Sequence, residues 1–186
     1  MAGDGEPRAL TPTSYVVLGL VHTLQPCTSY DMKQLVNISI GNFWPFPHSQ
    51  LYAEPARLVD DGLLVEDQEE TGRRRRLYRL TEAGDAAFRE WARMPSQEIG
   101  ELRDEGLLKL FFSDPADRES IATLAKAQVK VHEERIAALS AVREEVSSEA
   151  SAAQMATLEL GLRWDRTAAD FWAEVAENPP GERPTD

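Results

Sequence analysis

The sequence has one cysteine, no long hydrophobic run and little positive charge, and each shortage excludes a class of protein. The single cysteine, Cys27, cannot form an internal disulfide. The longest apolar run, residues 15–21, is far shorter than the roughly 18 residues of a membrane-spanning helix. The N-terminal residues lack the basic start and apolar centre of a signal peptide. We therefore expect a cytoplasmic protein that does not enter a membrane.

Histidine is also scarce, and this argues against a metal site. His22, His48 and His132 lie far apart in the sequence, without the spacing of metal ligands. The sequence has no glycine-rich phosphate loop and no recognisable pairing of a nucleophile with a base. We expect no cofactor, no metal and no catalysis. A small enzyme remains the less favoured alternative, because it would need a convergent polar pocket that no motif indicates.

Positive charge is scarce overall but concentrated at one place. The 186 residues carry 20 Lys and Arg against 32 Asp and Glu, a net charge of −12. Residues 94–186 hold ten bases and nineteen acids, whereas residues 8–93 hold ten bases and eleven acids. Five of the ten bases in residues 8–93 are arginines that lie within residues 73–79. An acidic protein repels nucleic acid at long range, so DNA binding would depend on such a concentrated basic patch.

Capping signals predict the first two helices. Thr11 followed by a proline is typical of a helix start, and the following residues are apolar on nearly all sides, as in a buried helix. Thr28 and Asp31 resemble a capping box for a second helix. The candidate apolar positions of that second helix are Tyr30, Leu35 and Ile38.

A third helix is expected to begin near residue 47 or 48 and to end before Gly62. Pro55 lies inside it, and we expect a kink or a short break there because an interior proline costs about 3 kcal/mol. Residues 63–68 and 76–81 then predict a β-hairpin, with Gly72 in the turn. Thr81 is expected to cap a fourth helix over residues 82–93.

The second half predicts helices only. A short apolar helix is followed by a long one over residues 116–148, for which Asp114 and Pro115 supply the start signal, and by a last helix over about 151–176. Two apolar seams run along the last helix, whereas a surface helix of a monomer needs only one. We therefore expect this helix to pack within its subunit and against a partner. The predicted dimer interface comprises Met155, Leu158, Leu162, Trp164, Phe171 and Trp172.

These patterns predict a mainly α fold with a small β-hairpin. Its parts are a disordered arm (1–9), a winged helix-turn-helix domain (10–93), a linker (94–103), a C-terminal helical dimerisation domain (104–177) and a disordered tail (178–186). Two questions stay open. Trp164 and Trp172 are either the lining of a pocket for a small aromatic effector or ordinary core residues. Cys27 is either a redox sensor or a small half-buried residue.

The chain carries a series of short motifs: Tyr30, Phe43-Trp44-Pro45, Leu51-Tyr52, Arg57-Leu58, Asp61-Gly62-Leu63 and Tyr78-Arg79-Leu80-Thr81 with Gly84. In this order and spacing they resemble the PadR family of transcriptional regulators, in the subfamily with an added helical C-terminal domain. The resemblance covers roughly residues 10–176, and Pro55 departs from it because the family has an apolar, helix-compatible residue there.

The resemblance implies a homodimer that binds double-stranded DNA through a recognition helix over about residues 48–62 and through the arginine-rich wing. His48, Ser49, Gln50 and Ala53 would face base edges, and Gln50 can bind adenine through two hydrogen bonds. Repression is the expected outcome. A winged-helix module that binds a protein instead of DNA remains an alternative, supported by the negative charge and Pro55. The remaining DNA-binding residues implied are Thr28, Ser29, Tyr30, Tyr52, Arg57, Arg73, Arg74, Arg75, Arg76 and Arg79.

Overall fold

A computed structural model describes residues 8–68 and 75–181, in two compact units that divide between Glu98 and Ile99. In the described part of the N-terminal unit there are four α-helices, one 3-10 turn and a two-stranded antiparallel hairpin. No helix within residues 8–68 and 75–181 is long and apolar enough to cross a membrane. The elements of this unit are α1 (Pro12–Leu24), α2 (Ser29–Ile38), a 3-10 turn (Ile40–Asn42), α3 (Gln50–Asp60), β1 (Leu64–Gln68), β2 (Arg76–Leu80) and α4 (Glu82–Arg93).

The predicted capping residues of α1, α2 and α4 begin their helices as expected. Thr11 and Thr28 each form a capping box, and Thr81 accepts a hydrogen bond from the Gly84 N–H. Each hydroxyl satisfies one backbone N–H that the first turn of a helix leaves without a partner. Local sequence therefore fixes where α1, α2 and α4 begin.

The core of the N-terminal unit surrounds α1, which is buried on most of its circumference, as predicted. Of the predicted apolar positions of α2, Leu35 is correct, because it is half-buried and packs against the core. Tyr30 and Ile38 are wrong, since Tyr30 is 61% exposed and Ile38 is also exposed, whereas Met32 and Val36 are buried in the core. Met32 and Val36 lie four residues apart and share one helix face, and Tyr30 and Ile38 lie on the other side. The core residues are Val17, Leu18, Leu20, Val21, Cys27, Met32, Val36, Leu51, Leu58, Leu64 and Tyr78.

Pro55 does not break α3, which runs as one helix from Gln50 to Asp60. The predicted break is therefore wrong, although the proline is inside the helix and fully buried. The helix also begins at Gln50, later than expected, because residues 47–49 form a preceding turn in which the Gln50 N–H bonds to the Pro47 carbonyl. The last turn ends at Gly62, whose φ of 71° favours glycine.

The hairpin is anchored at its base to α4. Leu64 pairs with Leu80, and the register continues to Gln68 opposite Arg76. The Thr81 hydroxyl lies 2.9 Å from the Gly62 carbonyl oxygen, and the Thr81 N–H donates to the Leu63 carbonyl. Gly84 packs so closely that a Cβ there would lie 2.0 Å from the Leu63 carbonyl oxygen.

The C-terminal unit consists of α5 (Glu105–Phe111), α6 (Arg118–Val146) and α7 (Ala152–Glu177), and α6 packs along α7. The predicted start of α6 is wrong, because Asp117 rather than Asp114 caps it. Trp172 and Val175 of α7 form an apolar cluster with Ile121 and Ala125 of α6.

The first residues of the predicted disordered tail belong to this unit. The Asn178 N–H bonds to the Glu174 carbonyl at the end of α7, its side-chain oxygen lies 3.4 Å from an Arg118 nitrogen, and Pro179 is buried. Residues 178–181 thus lie within the described residues, whereas residues 182–186 of the tail and residues 1–7 of the arm lie outside them.

Candidate nucleic-acid interface

The N-terminal part of α3 exposes the side chains expected to read DNA. His48, Ser49, Tyr52 and Ala53 are exposed and Gln50 is half-buried. The Ser49 side chain makes no capping hydrogen bond, so its hydroxyl is not used by the helix. The opposite face holds Leu51, Glu54, Pro55 and Leu58, all buried. The division follows the 3.6-residue period of a helix and places one polar surface at the start of α3.

The start of α2 is a less open anion site than the resemblance implies. Asp31 Oδ2 accepts from both the Thr28 N–H and the Thr28 hydroxyl, each at 2.8 Å. A carboxylate therefore already occupies the positive end of this helix, and it would repel a phosphate at Thr28. Thr28 and Ser29 are half-buried, whereas Tyr30 is exposed. Tyr30 therefore has the most solvent-accessible side chain of these three residues.

Arg57 does not face solvent as a DNA-binding residue should. Its guanidinium donates to the Glu54 carboxylate twice, through Nε at 3.0 Å and through Nη2. Nη1 donates to Asp61 Oδ2 at 3.1 Å, and Nη2 also donates to the Ser14 hydroxyl of α1 at 2.7 Å. The assignment of Arg57 to DNA stays a prediction, but these contacts argue against it, because its donors are used inside the protein, where they join α3 to α1.

The electrostatics of this cluster fit that structural role. Burial alone would raise the pKa of Glu54, but hydrogen bonds from Arg57 and Ser14 outweigh it and lower the pKa below its ordinary value. Glu54 is thus ionised and paired with Arg57. Its spacing of three residues from Arg57 is visible in the sequence, whereas Ser14 lies 43 residues away and carries no local signal.

Two of the described wing arginines, Arg76 and Arg79, are paired with acids of the same hairpin. Arg76 Nη1 lies 3.4 Å from Glu66 Oε2, and Arg79 forms a salt bridge with Asp67. Arg75 is exposed. The predicted contacts of Arg73 and Arg74 lie outside the described residues. Tyr78 lies between the two arginines, and burial, followed by the nearby Glu66 charge, raises its pKa.

Cys27 connects the turn after α1 to the wing strand. Its N–H and carbonyl form a bridge with the carbonyl and N–H of Tyr78 in β2. Burial, and secondarily the charge of Asp31, raises the pKa of the thiol to about 11. The reactive thiolate is therefore scarce at neutral pH, which favours the structural reading of Cys27 over the redox sensor.

The predicted dimer residues divide into two groups. Leu162 and Trp172 are buried within the protomer, so they are core residues and do not present a surface to a partner. Met155 and Leu158 are half-buried. Trp164 is 53% exposed, and Phe171 is also exposed. Both tryptophans thus lie on α7, but only Trp164 is available at the surface.

A buried polar cluster between α6 and α7 was missed from the sequence. His132 Nδ1 lies 2.7 Å from Asp165 Oδ1, and Arg135 Nε donates to both Asp165 oxygens at 3.0 and 3.2 Å. Asp165 is 1% exposed. The residues are about 30 positions apart, so only the pairing of the two helices could show that they meet.

Three helices, a hairpin wing and a following helix define a winged helix-turn-helix, and the second unit adds a helical region. The chain matches the model of the PadR-like transcriptional regulator family over residues 17–90. It also matches the model of the C-terminal region of virulence activator alpha over residues 102–178.

Known relatives agree with both matches. The negative transcriptional regulator PadR of Bacillus subtilis is 26% identical over 150 residues, covering 79% of this chain and 81% of the relative. Its crystal structure with operator DNA is similar in fold, with a TM-score of 0.78, 22% identity, and coverage of 88% and 96% of the two chains. A PadR-like regulator from Bacillus cereus gives a TM-score of 0.76 at 20% identity, covering 89% and 96%.

The region over residues 17–90 therefore belongs to the PadR-like family of transcriptional regulators, and the relatives named above are similar to the chain over most of its length. Members of this family are regulators and not enzymes, which removes the enzyme alternative. The predicted fold class, a winged helix-turn-helix followed by a helical region, is confirmed.

Proposed function

We propose that this protein is a cytoplasmic, homodimeric repressor that binds a pseudo-palindromic DNA operator. The exposed polar face at the start of α3 carries the proposal. In helix-turn-helix proteins the N-terminal residues of the second helix contact base edges in the major groove. Ser49 and Gln50 have the hydrogen-bonding groups for that contact, and Tyr52 can bond a phosphate.

The wing and α7 have separate proposed roles. The wing arginines would contact the DNA backbone beside the recognition helix, since guanidinium groups bind phosphate through two parallel hydrogen bonds. The exposed Trp164 and Phe171 would pack against a second copy of the chain and so fix the spacing of two half-sites, about 34–36 Å apart on one face of the DNA.

The names of two relatives support the direction of regulation and a ligand. The Bacillus subtilis relative is a negative regulator, and its structure has also been solved with p-coumaric acid, with a TM-score of 0.74 to this chain at 21% identity, covering 90% and 97% of the two chains. We therefore propose repression that is relieved by a small aromatic effector.

Selection of bound duplexes from a random pool tests the DNA-binding function. Gln50→Ala should cost about 1–3 kcal/mol at one base pair of the selected site and relax the preference there. Gln97→Ala, which alters an exposed glutamine outside the winged-helix elements, is the matched control and should have no effect. A uniform loss across all sequences would assign Gln50 to the DNA backbone, and the absence of any enriched site would overturn the function.

A winged-helix module that binds a protein remains the second candidate, because acids of the same hairpin pair with Arg76 and Arg79. DNA binding that is weak and insensitive to salt would favour this candidate. Binding that weakens steeply with salt would exclude it, because such a slope reports phosphate neutralisation.

A further inference from the structure

The wing carries nearly as many acids as bases. Between Leu64 and Leu80 the sequence holds five arginines and four acids, a net charge of +1. The arginine cluster is therefore much less positive than its four consecutive residues suggest. A wing of this charge attracts DNA weakly at long range.

The strand register places an acid diagonally across from an arginine on each face of the hairpin. Asp67 is directly opposite Leu77, and Arg79 follows Leu77 by two residues on β2. Glu66 is directly opposite Tyr78, and Arg76 precedes Tyr78 by two residues on the same strand. Residues two apart lie on the same face of a strand, and diagonal neighbours are within reach of long side chains. The ion pairs Asp67–Arg79 and Glu66–Arg76 follow directly from this register.

We propose that Asp67 and Glu66 compete with DNA phosphate for Arg79 and Arg76, and that they thereby set the affinity of the wing for DNA and its dependence on salt. The inference rests on the proposed DNA-binding function. An arginine can neutralise a phosphate only after it leaves its carboxylate, and that carboxylate stays on the same hairpin, beside the DNA.

The cost of this exchange is small enough to permit binding. Exposed ion pairs contribute up to about 1 kcal/mol, which corresponds to roughly fivefold in affinity. Asp67 is 57% exposed, so water can replace its partner without strain, whereas the Glu66 side chain is 24% exposed and also bonds Tyr78. Asp67 is consequently the cleaner residue to test.

The experiment measures binding of the full-length protein to a random-sequence 30-base-pair duplex over a range of salt concentrations. Asp67→Asn keeps the size and polarity of the side chain but removes its charge. Its affinity should rise about three- to fivefold at low salt, and the slope of log K against log salt should steepen by up to about 0.9. Asp170→Asn is the matched control, because Asp170 is exposed on α7, outside the winged-helix unit, and forms no ion pair within the described residues.

A double-mutant cycle isolates the pair from the overall change in charge. Arg79→Ala should flatten the slope only slightly in the otherwise natural protein, but by close to about 0.9 when combined with Asp67→Asn. Equal effects of Asp67→Asn and Asp170→Asn, or an Arg79→Ala effect that does not depend on Asp67, would overturn the inference alone. If the unaltered protein binds neither this duplex nor a selected one at 50 mM salt or so, the proposed function falls as well.

Discussion

The two units of this protein bury charge in different settings. In the N-terminal unit, Glu54 and Arg57 join α3 to α1 beside an extensive apolar core. In the C-terminal unit, Asp165 lies with His132 and Arg135 between two long helices whose buried apolar residues are few. The N-terminal unit therefore has an extensive apolar core, whereas in the C-terminal unit a buried polar cluster adds to a smaller apolar core.

Both units leave large apolar side chains exposed, among them Trp44 and Tyr52 of the N-terminal unit and Leu160 and Trp164 of the C-terminal unit. Apolar exposure of this kind is typical of association surfaces. The difference between the units therefore lies in their cores. The C-terminal unit has the smaller apolar core, so we expect its stability to increase on association, which makes the comparison testable.

The largest effect should come from the two tryptophans of α7. Trp172→Ala should cost about 3–5 kcal/mol, because it leaves a cavity in the core of the C-terminal unit. Trp164→Ala is the matched change on the exposed side and should leave the stability of the monomer almost unchanged while weakening self-association. Urea unfolding and sedimentation measure the two properties. The reverse pattern would mean that the buried and partner-facing sides are assigned wrongly.

Asp165→Ala should cost about 2–4 kcal/mol, because His132 and Arg135 lose the carboxylate between them. Asp165→Asn retains one acceptor and should cost less. Urea denaturation of the two variants gives the difference. A neutral Asp165→Ala would show that apolar packing alone holds α6 against α7.

Arg57→Ala should cost about 2 kcal/mol, since it leaves the buried Glu54 carboxylate without its charged donor. Arg89→Ala, which removes an exposed pair with Asp85 on α4, is the control and should cost well under 1 kcal/mol. A thermal unfolding series compares them. Equal losses would mean that the Arg57 cluster contributes no more than a surface pair.

The same cluster predicts a pH dependence. The pKa of Glu54 is lower when folded, so its stabilising contribution is complete above its ordinary value of 4.5 and is lost as the pH falls through the lowered value. The stability difference between the unaltered protein and Glu54→Gln should therefore shrink as the pH is lowered below about 4.5. A difference that stays constant from pH 6 down to pH 3 or so would assign the contribution of Glu54 to packing.

Pro55→Leu should have the smallest effect, near neutral or slightly stabilising. Leucine restores the N–H that can bond the Leu51 carbonyl, but its larger side chain must fit a fully buried site. Pro55→Ala restores the same bond without the bulk and serves as the control. We also expect any bend at Pro55 to affect operator preference, which selection from a random pool would detect. Unchanged preference together with a straight helix in a crystal structure would contradict that expectation.

The features predicted well from the sequence are those determined by neighbouring residues. The caps at Thr11, Thr28 and Thr81 and the hairpin need only a few adjacent positions, and all of them form as expected. The orientation of the Arg57 side chain toward the protein interior depends on its hydrogen bond to Ser14, which lies far away in the sequence and comes close only on folding. A helical sequence shows which residues share a face but does not show which face meets the core.

The division of α7 illustrates the same limit. Two apolar seams were recognised, and both a core and an exposed apolar surface exist. The sequence could not show which seam is buried and which is exposed. Trp164 and Trp172 have the same side chain, and they differ only in that α6 covers Trp172. The buried Asp165 was missed because an acid within an apolar seam is normally taken as a surface residue.

The contact at Gly84 makes the aim of the wing depend on a residue outside it. A methyl group at that position would lie 2.0 Å from the Leu63 carbonyl oxygen, so α4 and the base of the hairpin would have to separate. Five residues of strand extend roughly 15 Å from that base. A rotation of 10° about it would therefore displace the far end by roughly 2–3 Å, which is enough to lose a hydrogen bond. The position of the wing arginines therefore depends on the angle between α4 and the hairpin, and that angle requires a residue without a side chain at position 84.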